Sequence, residues 1–108
     1  EIFFTSGGTE SSNTAILAAV QDLGCRHIIS SPLEHHATLH TTEYLHQTNK
    51  AKLSHVKVFP DGHIDLEDLE NLLKDTEEKS LVTLMHANNE IGNMIDLFAV
   101  GNICKKYS

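Results

Sequence analysis

Phe3-Phe4-Thr5-Ser6-Gly7-Gly8-Thr9-Glu10-Ser11-Ser12-Asn13 decides how this chain folds, because a short apolar run breaks at two glycines and opens at once into helix-forming sequence. The spacing predicts a strand over 2–4 and, after the glycines, a helix with Ile16, Ala19, Val20 and Leu23 along one face. Such a junction binds anions. Glycines let the backbone approach a ligand, the first helical amides have no partner within the helix, and the helix dipole favours negative charge there. Thr9 adds a hydroxyl. Glu10 suits the dipole but repels a phosphate, so it must project away or be paired. Alone, the same residues also describe a plain capped helix entry.

Outward from this stretch the chain alternates. Gly24 is placed to end the first helix, and 27–30, His-Ile-Ile-Ser, reads as a short buried strand. After the turn at Ser31-Pro32-Leu33-Glu34, residues 36–47 read as a helix with a poorly periodic apolar face of Ala37, Leu39, Tyr44 and Leu45. Residues 53–59 alternate apolar and polar, as a strand with one wet side does, and Pro60-Asp61-Gly62-His63 turns the chain. Asp65 is an N-cap with Asp68 three residues on and Ile64 placed to staple onto Leu69, which starts a helix through Leu66, Leu69, Leu72 and Leu73. Residues 81–85 form an apolar run short enough for a fully buried strand. A last helix is capped near Asp96 and carries Val100, Ile103, Cys104 and Tyr107. Strict alternation predicts an α/β fold: a largely parallel sheet with helices on both faces.

The 108 residues amount to one domain at most, with 40% apolar content in the ordinary globular range. A net charge of −7, with the 8 histidines counted as neutral, excludes a basic footprint for nucleic acid or an anionic membrane. No run reaches the length of a membrane span, and the chain opens without a leader pattern, which points to the cytoplasm. Cys25 and Cys104 read as reduced packing thiols and not as a disulfide scaffold or nucleophiles. Both ends break off within the alternating pattern, so the sequence is expected to be part of a longer chain.

Ligands of parallel sheets bind beyond the carboxyl ends of the strands. Three polar clusters fall there: Gly7-Gly8-Thr9, then Glu34-His35-His36, then Asn88-Asn89-Glu90. Each has a bland counterpart: a helix cap, a solvated loop histidine, an Asn-rich turn. A histidine can lie against a flat ring or pass protons near neutral pH, and amides with a carboxylate can orient a small polar substrate. His36 and His40 are four apart on one helix, which suits a metal, but no third ligand accompanies them. His86 ends a buried strand and is best explained by local hydrogen bonds.

Phe4-Thr5-Ser6-Gly7-Gly8-Thr9-Glu10-Ser11, Glu34-His35-His36-Ala37 and Met85-His86-Ala87-Asn88-Asn89-Glu90-Ile91-Gly92 resemble, in order and spacing, motifs of the NifS-like cysteine desulfurases, in the class V aminotransferase group of pyridoxal-phosphate enzymes. Gly62-His63-Ile64-Asp65-Leu66 resembles the family's connecting segment. The resemblance covers essentially all of this chain and a minor part of a family member. It implies part of the large domain of a pyridoxal-phosphate-dependent transferase fold. By resemblance, Gly8 through its backbone and Thr9 through amide and hydroxyl hold the phosphate of pyridoxal 5'-phosphate. His35 stacks on the pyridine ring and assists proton transfer, and Asn89 binds the α-carboxylate of the substrate.

The family's Schiff-base lysine sits in a Ser-Gly-His-Lys-like context that no lysine here has. Its pyridine-nitrogen aspartate, carboxylate-gripping arginine and sulfur-accepting cysteine lie beyond this stretch in the family, and neither Cys25 nor Cys104 inherits the last role. The resemblance therefore implies half a site. As a whole protein it implies a homodimer that converts L-cysteine to L-alanine and an enzyme persulfide, with a sulfur-acceptor or scaffold protein as partner in iron–sulfur cluster or thio-cofactor assembly. A selenocysteine lyase, another class V enzyme, a non-catalytic α/β module for a phosphorylated ligand and a metal protein built on His36 and His40 are the competing readings.

Overall fold

The computed structural model describes residues 8–34, 36–85 and 96–107. In chain order these form α1 (Gly8–Gln21), β1 (His27–Ser30), α2 (His36–Gln47), β2 (Lys52–His55), α3 (Leu66–Lys74), β3 (Ser80–Val82) and α4 (Leu97–Lys106). The strand expected over 2–4 lies outside the described residues.

β1 is the central strand of a parallel sheet of order β2-β1-β3. Successive side chains of a strand point to opposite faces, and the two isoleucines of β1 show the consequence. Ile28 packs with Ile16 and Val20 of α1 and Leu45 of α2, whereas Ile29 packs with Leu69 and Leu73 of α3 and with Val100 and Ile103 of α4. Two helices therefore cover each face, and both isoleucines are completely buried. From β1 the chain crosses by α2 to β2. It then returns by α3, on the other face, past β1 to β3. Right-handed crossovers require that change of face when the direction of travel reverses.

Several elements depart from the sequence reading, each for a local reason. α1 ends at Gln21, and Gly24 at φ 77° turns the chain, so Leu23 lies beyond the helix and is 60% exposed. The buried stripe of α2 is Thr38, Thr42 and Leu45, while Tyr44 faces out. Thr42 tolerates burial because its hydroxyl donates back to the Thr38 and Leu39 carbonyls at 3.0 and 3.1 Å. β2 stops at His55: the Val56 N–H makes a last bond to the Ser30 carbonyl, at 2.9 Å, and β1 has ended there. Val58 pairs instead with Ile64, antiparallel, across the turn in which Gly62 adopts φ 93°. β3 is likewise shorter than the apolar run over 81–85, and its residues are half-buried where full burial was expected. Among the described residues it has a strand neighbour, β1, on one side alone.

The helix caps follow the sequence. Asp65 accepts from the N–H groups of Glu67 and Asp68 at 3.0 and 3.2 Å, and Asp96 from that of Ala99 at 3.1 Å. Ile64 packs into the cluster around Leu69, as a staple does. Asp68 does not close a capping box. Its carboxylate accepts the Lys57 N–H at 2.8 Å and so ties α3 to the segment after β2.

Candidate functional site at the carboxyl edge of the sheet

The helices leaving β1 and β3 go to opposite faces: α2 joins the Ile28 side, α4 the Ile29 side. Where connections diverge in this way a crevice opens beyond the carboxyl ends of the two strands, the usual ligand position in open α/β sheets. α1 brings its own start to that edge. At the opposite edge, its end is tied to the approach to β1 by the Cys25 N–H to the Ala19 carbonyl, 2.9 Å, and by Arg26 Nη1 to the Val20 carbonyl, 2.6 Å. From there the 14 residues of α1 reach back roughly 20 Å at the standard helical rise, past the end of a four-residue strand. Asn13 and Thr41, each five residues into its helix, are joined by a 2.5 Å bond from the Thr41 hydroxyl to Asn13 Oδ1. The starts of α1 and α2 are thus side by side.

Gly8 and Thr9 are the first residues of α1, so their amides belong to the set that a helix cannot satisfy internally. At the end of β1, Ser30 Oγ is fully buried and has no hydrogen-bond partner among the described residues. By alternation Ser30 shares the face of Ile28 with α1 and α2. Helix-start amides are donors suited to an anionic group such as a phosphate, and a buried hydroxyl without a partner is a donor still to be satisfied. His35 and Asn89, the other two residues singled out from the sequence, lie outside the described residues, as does His86. Glu34 and His36 on either side of His35, and Met85 before His86, are described. His36 opens α2, and Met85 follows β3.

A bond the sequence does not reveal joins those flanks: the Met85 N–H donates to Glu34 Oε2 at 2.7 Å. Burial raises the Glu34 carboxyl above its ordinary range, and the Met85 N–H acts against that rise. Finding this pair requires the register of β1 on β3, which no local pattern carries. His27 is also missed. It is 2% exposed, and its ring meets Ser54 Oγ at 2.8 Å through Nε2 and Ser80 Oγ at 3.4 Å through Nδ1, bridging both neighbouring strands. It lies at the amino edge of the sheet and belongs to the scaffold.

The remaining candidates carry no chemistry of their own. The His36 and His40 rings are 6.2 Å apart and tilted by 52°, and among the described residues no group of three or more His, Cys, Asp or Glu gathers as a metal site would. Cys25 is buried, and burial pushes the Cys104 thiol up, the opposite of an activated nucleophile. Every lysine is exposed. A cavity of about 690 Å³ is lined by Leu73, Lys79, Leu81, Cys104 and Tyr107 among others, between β3, the turn before it and the ends of α3 and α4.

Residues 1–108 match the family model for aminotransferase class-V. The chain is 41% identical over 108 residues to the cysteine desulfurase IscS of Clostridium botulinum strain Hall, covering 98% of this chain and 26% of that protein. It is 42% identical over 110 residues to the mitosomal cysteine desulfurase of Trachipleistophora hominis, covering 98% and 24%. Among solved structures it superposes on a NifS-like protein with a TM-score of 0.86 at 39% identity, covering 98% of this chain and 29% of that one. On the apo cysteine desulfurase of Thermococcus onnurineus NA1 the TM-score is 0.78 at 28% identity, covering 92% and 24%. The chain therefore spans about a quarter of the length of these curated relatives.

Proposed function

The chain belongs to the class-V aminotransferase family, and from that premise we propose that its 108 residues are part of the large, cofactor-binding domain of a pyridoxal-phosphate cysteine desulfurase. The whole enzyme takes sulfur from L-cysteine, leaving L-alanine and an enzyme persulfide. It works as a cytoplasmic homodimer and hands its sulfur to an acceptor or scaffold protein for iron–sulfur cluster or thio-cofactor assembly. The observation that carries this reading is that the helices following β1 and β3 lie on opposite faces of the sheet with the starts of α1 and α2 side by side, an arrangement in which open α/β sheets bind anionic ligands.

The roles divide by chemistry. The Gly8 amide and the amide and hydroxyl of Thr9 hold the cofactor phosphate, with the α1 dipole behind them. His35 lies against the pyridine ring and moves a proton at an imidazole nitrogen, and Asn89 binds the substrate carboxylate through its side-chain amide. Pyridoxal phosphate, when bound, supplies the electron sink. The Schiff-base lysine and the sulfur-accepting cysteine come from the rest of the enzyme, so the 108 residues alone do not turn over cysteine.

The test is purification of the full-length protein. A yellow preparation that borohydride bleaches, and that forms alanine from cysteine and, once an added thiol reduces the enzyme persulfide, sulfide, is expected. A colourless protein that binds a phosphorylated ligand without turnover supports the non-catalytic module instead. Selenide release from selenocysteine with no sulfide release from cysteine supports the lyase.

A further inference from the structure

We propose that Glu34 is a positioning residue, whose carboxylate stands in for a missing backbone rung between β1 and β3 and fixes the separation of the segments leading to His35 and Asn89. This inference rests on the desulfurase reading above for its kinetic consequence, and on the described residues for its geometry.

In the ladder, the carbonyls of β1 point alternately to its two neighbours. That of Ser30 accepts the Val56 N–H on the β2 side, and that of Ile29 accepts the Thr83 N–H on the β3 side, both at 2.9 Å. The next pair on the β3 side would be the Ser31 carbonyl with the Met85 N–H. That rung is not made, because β1 leaves the sheet in a tight turn: the Ser31 carbonyl accepts the Glu34 N–H at 3.3 Å and the Ser31 hydroxyl accepts the Leu33 N–H at 3.0 Å. The same turn returns the Glu34 side chain to the vacated position, where Oε2 takes the Met85 N–H at 2.7 Å. An ionised acceptor makes this bond shorter and stronger than the amide rung it replaces.

The consequence follows from connectivity. Glu34 precedes His35 directly, and Met85 stands four residues before Asn89. A bond between them sets the width of the crevice without touching substrate or cofactor. Glu34 is therefore needed for alignment of substrate against the ring and not for retention of the phosphate, which falls to Gly8 and Thr9.

The experiment uses the full-length holoenzyme and its Glu34→Ala, Glu34→Asp and Glu34→Gln variants. Glu34→Ala is expected to speed hydrogen exchange in the peptide containing Met85. It should also lower kcat/KM for cysteine by about tenfold to a hundredfold, the scale of a small misplacement at a reacting centre, with cofactor content unchanged. Glu34→Asp keeps the charge but withdraws the oxygen by one methylene, so it should show the same loss, and it carries the test if Glu34→Ala does not fold. Glu34→Gln keeps an acceptor at full reach and should restore both slow exchange and most of the activity. Unchanged exchange in the Ala and Asp variants overturns the rung, and faster exchange with wild-type kinetics overturns the positioning role. Failure of the functional reading is distinguishable: the wild-type protein would then bind no pyridoxal phosphate, and exchange at Met85 would still decide the rung.

Discussion

Thr9 is the second residue of α1, and the phosphate role proposed for it is testable one atom at a time. On the proposed role, Thr9→Ala would remove one hydrogen bond to a charged group, and retention of pyridoxal phosphate by the full-length enzyme should weaken by about 1–3 kcal/mol, as read by equilibrium dialysis. Unchanged retention would remove Thr9 from the phosphate site. Asn89→Ala should raise KM for cysteine and leave the cofactor in place, and loss of the yellow colour would contradict that division of roles. His27 makes a prediction of opposite character, about the scaffold. Burial first, then the charge of Lys52, hold its pKa below the ordinary value against the smaller pull of Glu78. Between the folded and unfolded values the unfolded chain binds more protons than the fold. Stability therefore falls as pH drops through the region just below about 6.5 and is level above it. Urea denaturation across about pH 5 to pH 8 should show this slope in the wild type and lose it in His27→Gln.

At the scale of elements, α3 is held by a cap, a face and a neighbour, and each is separately testable. Asp65→Ala leaves two N–H groups of its first turn unpaired, where Asp96→Ala on α4 leaves one. Each substitution should cost about 1 kcal/mol in thermal or urea unfolding, the Asp65 variant more than the Asp96 variant. Leu69, with no exposed surface, fills the space between α3 and the sheet, and Leu69→Ala should cost about 2–5 kcal/mol. The junction with α4 is polar: Glu70 Oε1 accepts from Lys106 Nζ at 2.7 Å and from the Tyr107 hydroxyl at 3.0 Å. These two bonds hold the Glu70 carboxyl below its ordinary range. A depressed carboxylate contributes above its unfolded pKa and loses that contribution as pH falls through its folded one. Acid below about pH 4.5 should therefore loosen α4 from α3, seen as faster hydrogen exchange in α4, and Glu70→Gln should abolish that response. The sequence foretold both caps and the leucine face. It did not foretell the length of β2, because alternation continues through Val58 after the partner strand has turned away at Ser31.

For the whole molecule, alternating apolar segments and punctuating residues were sufficient to determine an α/β fold with a parallel sheet and helices on both faces. Strand and helix periodicities are local properties of the chain, as are an aspartate before a helix and a glycine after one. The family was equally legible, since Gly8, Thr9, His35 and Asn89 stand in motifs whose order and spacing survive without coordinates. Tertiary structure alone decided the rest. Strand order β2-β1-β3 set β1 and β3 side by side with their following helices on opposite faces, the arrangement beside which open α/β sheets bind ligands. Register brought Glu34 opposite Met85, 51 residues away, and His27 between Ser54 and Ser80. Helix packing joined Asn13 to Thr41 and buried threonines in α2 where an apolar face was expected. These are pairings between distant segments. Their partners are chosen by sheet register and helix docking, and no neighbouring residue encodes that choice.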